Sequence, residues 1–111
     1  MRVLQVTNIV THHQMPLARC LAAAVGTDEF RFVATCPPDP DRVRLGWGGD
    51  ENRPWLLRAG EDEAAAREFR ARWEEADVVI CGNRDVELFS RRVDRGKLTF
   101  HMSERWWKPP L

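Results

Sequence analysis

Asp77-Val78-Val79-Ile80-Cys81 is the stretch whose reading decides the fold. A near-continuous, β-branched apolar run directly after a helical pattern marks a parallel strand covered on both faces; a strand with one wet face would alternate apolar and polar residues. Upstream, Glu61-Asp62-Glu63 opens a helix with acids at its positive end. Ala65, Phe69, Trp73 and Ala76 then recur along one of its faces. Downstream, Asn83 caps another helix whose Val86, Leu88, Phe89 and Val93 are expected to face inward, and Gly96 ends it. Lys97–Met102 reads as the last strand, and residues 103–108 begin a further helix before Pro109-Pro110 interrupts it.

The first half follows the same rhythm. Arg2–Thr7 is an apolar, β-branched strand. Pro16 to Val25 carries Leu17, Leu21, Ala24 and Val25 along one helical face and stops at Gly26. Thr11 and Gln14 have the spacing of a capping box. A start near His13 or Gln14 is preferred, because Pro16 then falls in the first turn, where its missing N–H costs little. Phe30–Thr35 is a second strand and Pro54–Leu57 a short third one near the sheet edge. Residues 36–53, rich in Pro, Gly, Asp and Arg and including Gly46-Trp47-Gly48-Gly49-Asp50, read as a loose loop. Strands alternating with helices predict an α/β fold, a three-layer sandwich with a mostly parallel Rossmann-like sheet. Val3–Thr7 and Asp77–Cys81 should form its centre, with Phe30–Thr35 and Lys97–Met102 on opposite flanks.

Residues 1–111 suit one domain with one core. With 17 basic and 17 acidic residues the formal charge is zero, so there is no bulk attraction to nucleic acid. Cys20, Cys36 and Cys81 form neither a CxxC pattern nor a disulfide framework and suit a reducing compartment. Cys20 and Cys81 read as small core residues. No secretory h-region and no transmembrane segment is visible, which predicts a cytoplasmic protein.

Ligands of an open parallel sheet gather at the carboxyl ends of its strands. There the first turn places Thr11-His12-His13-Gln14, and the later turns bring Asn83, Glu104 and Arg105 to the same edge. His12 and His13 are the candidate catalytic residues, since a neutral imidazole held by a neighbour serves as a general base. Thr11, Gln14, Asn83, Glu104 and Arg105 are candidate substrate-binding residues. The plain alternative for each histidine is a capping or solvent-facing turn residue; His101, within a strand, reads as a hydrogen-bonded interior one. Adjacent histidines aim poorly at one ion and no HExxH spacing is present, so no metal is expected. The turn after the first strand lacks G-x-G-x-x-G, and no Walker A lysine follows it, which argues against a bound dinucleotide or nucleoside triphosphate; no cofactor is expected.

Taken in order, Met1–Asn8, Thr11-His12-His13-Gln14-x-Pro16-Leu17, Glu29–Thr35, Pro54-Trp55, Asp77–Ile80 and Gly96–Phe100 leading to Ser103-Glu104-Arg105 resemble the N-terminal half of a bacterial two-domain glycosyltransferase of the GT-B type (glycosyl transferase group 1). The resemblance implies an acceptor-side Rossmann-like domain, with His12 or His13 lining the cleft. The nucleotide-sugar donor would be held mainly by a missing C-terminal donor-binding domain, and no metal would be required. Such domains are longer, so the chain resembles an incomplete half, inactive alone because the transfer needs both walls of the cleft. The alternative is a non-enzymatic α/β interaction or dimerisation module, its homodimer formed through Trp106-Trp107. A flavodoxin-like or phosphate-handling domain is a third reading, weakened by the lack of a Ser/Thr/Gly-rich anion loop.

Overall fold

Strand alternation and apolar run length place β1 (Val3–Thr7) at the centre, and the computed structural model bears this out. It describes residues 1–46, 52–82 and 86–102, without the side chain of Val86. Around β1 run α1 (Met15–Val25), β2 (Phe30–Ala34), α2 (Pro40–Arg44), β3 (Leu56–Arg58), α3 (Glu63–Glu75), β4 (Val78–Cys81), α4 (Val86–Asp94) and β5 (Leu98–His101). The five strands are all parallel in the order β3-β2-β1-β4-β5, a Rossmann-like sheet. Val3 pairs with Phe30 on one side and Val78 on the other. Val78 in turn pairs with Leu98.

Two apolar layers sandwich the sheet. Met15, Ala18 and Ala22 of α1 pack on Val3, Phe30, Phe32, Ala34 and Leu56, with Trp55 against Phe30. Leu4, Val6, Val33, Leu57, Val79 and Cys81 meet Ala65 and Trp73 of α3 and Phe89 of α4 on the opposite side. Trp73 is flanked by Phe69 edge-on and by Phe89, so one indole joins the two helices. Asp62 caps α3 by accepting from the Ala64 N–H, and the expected acids stand at its start. Gly26 and Gly96, both at positive φ, end α1 and α4 as their positions predict.

Several expectations need correcting. The inward face of α1 is centred on Met15, Ala18 and Ala22; Leu17, Leu21 and Val25 lie on its flank, and Ala24 and Cys20 are exposed. Part of the supposed loop at 36–53 is α2, because Asp39 caps it through the Asp41 N–H and Pro40 fits its first turn. On α4 the inward residue beside Phe89 is Arg92, only 3% exposed, whereas Val93 is 56% exposed. Arg92 wins that place because its guanidinium reaches the end of α3, donating to the Trp73 carbonyl at 3.2 Å and the Ala76 carbonyl at 2.6 Å. Burial lowers its pKa, against the pull of Asp77 and then Glu74. Finally, β4 is fully buried on one face only. Val79 and Cys81 are covered by α3 and α4, but Val78 and Ile80 are partly open beside α1, and the β5 residues next to them are more so. The expected helix at 103–108 lies outside the described residues.

Candidate functional site

The strand order reverses direction between β1 and β4, so the crevice at their carboxyl ends is where this topology receives a ligand. Its floor is tied together by backbone. Thr35 N–H and hydroxyl both donate to the Thr7 carbonyl, Cys36 N–H donates to Asn8 at 2.8 Å, and Gly82 N–H donates to Val6 at 2.8 Å. Gly60 belongs to the same edge and was not singled out from sequence. A Cβ there would lie 2.6–2.7 Å from the backbone of Cys36 and the Thr35 carbonyl, so only glycine lets the turn after β3 close on the end of β2.

The turn from β1 to α1 is organised by Gln14. Its Nε2 donates to Thr7 Oγ1 at 2.7 Å, its Oε1 accepts the Thr11 N–H at 3.2 Å, and its backbone N–H closes on the Thr11 carbonyl at 3.1 Å. The Thr7 hydroxyl in turn donates a hydrogen bond to the Ile9 carbonyl at 3.2 Å, with Asn8 Oδ1 more distant at 3.4 Å. Asn8 Oδ1 also takes the Ile9 N–H at 2.8 Å. Helix α1 begins at Met15 with Gln14 as its N-cap and Pro16 in the first turn, the later of the two starts the sequence permitted. The Thr11–Gln14 spacing thus serves the turn itself rather than a box closing the helix.

This framework brings Thr11, His12, His13 and Gln14 together. Thr11 is buried and Gln14 half-buried, while His12 and His13 are both exposed, with ring centroids 4.0 Å apart and planes inclined by 41°. The Gln14 side chain and the Thr11 backbone are thus framework, and the two imidazoles are the exposed groups of the turn. Asn83, Glu104 and Arg105 lie outside the described residues, as do Trp106 and Trp107.

Other polar groups are placed elsewhere. His101 is exposed, not interior, because β5 is the last strand of the described sheet; it lines an open groove of about 390 Å³ with Phe89, Val93 and Thr99. Cys81, at the base of that groove, is buried and its thiol is pushed up to about 11 by burial, so it is no thiolate nucleophile. At the opposite, amino edge of the sheet a cavity of about 340 Å³ holds Arg2, Asp28, Glu68 and Arg72. Glu68 accepts from Arg72 Nε at 2.7 Å and Arg31 Nε at 2.8 Å, and Arg72 also donates to the Asp28 carbonyl. Burial by itself raises the Glu68 carboxyl, but hydrogen bonds from Arg72 and Arg31 and their charges prevail and hold it below its ordinary value. That cavity is a structural knot joining α3 to the β2 entrance.

Among the described residues no helix is long and apolar enough to cross a membrane, and no group of three or more His, Cys, Asp or Glu is placed to hold a metal ion. Compared with known proteins, the chain matches no family model, no curated protein and no solved structure.

Proposed function

We propose that this domain is the acceptor-side wall of a glycosyltransferase that moves a sugar from a nucleotide-sugar donor. The observation that carries the reading is the exposed His12–His13 pair, set at the carboxyl edge of β1 by the hydrogen bonds of Gln14. In this reading an acceptor hydroxyl gives its proton to an imidazole as its oxygen attacks the anomeric carbon. The diphosphate leaves with the bond pair. A rigid turn suits that task, since a base must stay within hydrogen-bond reach of the proton it takes. Asn83, Glu104 and Arg105 supply further contacts to the sugars, and no metal or cofactor is called for. The turn has no glycine over which a pyrophosphate could approach closely. In this reading donor binding falls to a C-terminal domain, and the acceptor-side wall is inactive alone.

The test is an amide-resolved NMR titration of the chain with glucose, mannose and N-acetylglucosamine at millimolar concentration, paired with calorimetry against uridine- and guanosine-diphosphate sugars. The reading expects shifts concentrated on the amides of residues 8–14, lost in a His12→Ala, His13→Ala variant. It expects no nucleotide-sugar affinity tighter than ~10 μM, or about −6.8 kcal/mol. Saccharides that leave those amides untouched, or tight donor uptake by this chain, overturn it.

A further inference from the structure

Gln5 stands in the middle of the central strand, and alternation puts its side chain on the α1 side of the sheet with that of Val3. It is only 2% exposed, and its Oε1 meets no hydrogen-bond donor among the described residues. Across the ladder it faces Phe32 of β2 and Ile80 of β4, whose side chains have no polar atom to offer. A buried acceptor without a donor is costly to the fold and calls for a partner.

The same side of the sheet is only half covered. Helix α1 packs over β1 and β2, whereas Val78 and Ile80 of β4 are partly open. Beyond them Leu98 and Phe100 are 54% and 52% exposed. These four residues share one face, because Val78 pairs with Leu98 and Ile80 with Phe100 in register. An apolar surface with one orphan acceptor at its inner margin is matched by a broad apolar body that carries a single donor and no acceptor. An indole is that group. A phenyl or aliphatic side chain would leave Gln5 Oε1 unanswered, and an ammonium or guanidinium would set a charge on apolar ground.

The chain supplies two indoles within reach. Met102 N–H donates to the Cys81 carbonyl, so the chain leaves β5 at the carboxyl edge of the sheet. Gln5, Ile80 and Phe100 stand in one row across β1, β4 and β5, and Met102 is two residues past that row. At about 3.3 Å per residue along a strand and about 4.8 Å between strands, Gln5 lies roughly 12 Å from Met102. Trp106 and Trp107 follow Met102 by four and five residues, and an extended chain covers about 13–18 Å in that length. We infer that the Trp106-Trp107 segment folds back over Val78, Ile80, Leu98 and Phe100 and donates one indole N–H to Gln5 Oε1. Docked there, it tethers residues 103–105 to the carboxyl edge. The docking itself is independent of sugar transfer.

NMR on the full chain tests this, with isotope-labelled and unlabelled copies mixed in equal parts. Within the labelled chain, an indole N–H of Trp106 or Trp107 should show nuclear Overhauser contacts to the methyls of Val78 and Ile80. That N–H should exchange with water at least about tenfold more slowly than a free indole, the factor that corresponds to a bond of ordinary strength. Gln5→Leu should lower the melting temperature of the parent chain but not that of a Trp106→Phe, Trp107→Phe chain, in which both donors are gone and both rings remain. Should Gln5→Leu not fold, the contacts and the exchange rate in the unsubstituted chain decide the matter. Indoles that exchange freely, or that touch neither Val78 nor Ile80, overturn the inference. Contacts found only between labelled and unlabelled copies overturn it too and assign the face to a second chain. Equal effects of Gln5→Leu in the two backgrounds exclude the hydrogen bond and so overturn it as well.

Discussion

Gln14 Nε2 donates to Thr7 Oγ1 at 2.7 Å across seven residues of sequence, fastening the start of α1 to the last residue of β1. The amide oxygen of the same side chain takes the Thr11 N–H. One residue thus sets where the adjacent imidazoles stand.

Gln14→Ala should cost about 1–3 kcal/mol, because the Thr11 N–H and one side of the Thr7 hydroxyl lose their partners. Denaturant unfolding gives the magnitude. Hydrogen exchange should show faster opening at residues 11–14 than in β1, and an unchanged exchange pattern in the turn would refute the clamp.

Gly60→Ala should destabilise by about 1–3 kcal/mol, the usual range when a methyl is forced into filled space. The obstacle is the backbone of Cys36 and Thr35, which cannot swing aside as a side chain could. A thermal melt equal to that of the parent chain would mean that the turn after β3 shifts freely.

Arg92→Ala should cost about 2–3 kcal/mol, for it strips the Trp73 and Ala76 carbonyls of their donor and removes the packing of the guanidinium on the Trp73 ring. The neighbouring Val93→Ala, on the outward side of α4, should stay within about 0.5 kcal/mol in the monomer. Equal effects at the two positions would contradict the observed facing of the helix.

Acid stability should depend on Glu68. Its folded pKa lies below the ordinary value, so its contribution is fully present above the unfolded-state pKa of about 4.3. That contribution is lost as pH falls through the lower folded value. Glu68→Gln should therefore flatten the fall in stability below that pH, leaving the profile between pH 5 and 8 parallel to that of the parent chain. Urea melts across the acid range would show it, and an unaltered acid slope would exclude the carboxylate.

Run length and period carried the architecture. Val78–Cys81 and Val3–Thr7 read as central strands because their apolar runs are too continuous for a wet edge, and the helices between them announced crossovers. The histidine turn was legible for the same reason: it follows the central strand. What failed were choices within an element. Arg92 and Val93 are adjacent, and pattern alone favours the valine; the arginine is inward because carbonyls from α3, nineteen and sixteen residues earlier, need its protons. His101 looked interior because a strand residue is commonly covered, and nothing local says that the described sheet stops there. Asn83, Glu104 and Arg105, which the sequence also offers as binding residues, lie outside the described residues.

The central position of β1 has a consequence for synthesis. The earliest strand of the described sheet to leave the ribosome pairs on one side with Phe30–Ala34, but its other neighbour, Val78–Cys81, is made much later. At about 5–20 residues per second the nascent chain carries an unpaired apolar strand edge for seconds. The return of the chain past its own beginning is what ends that interval, so a stall or cleavage before Cys81 leaves a half-sheet whose middle is its open side.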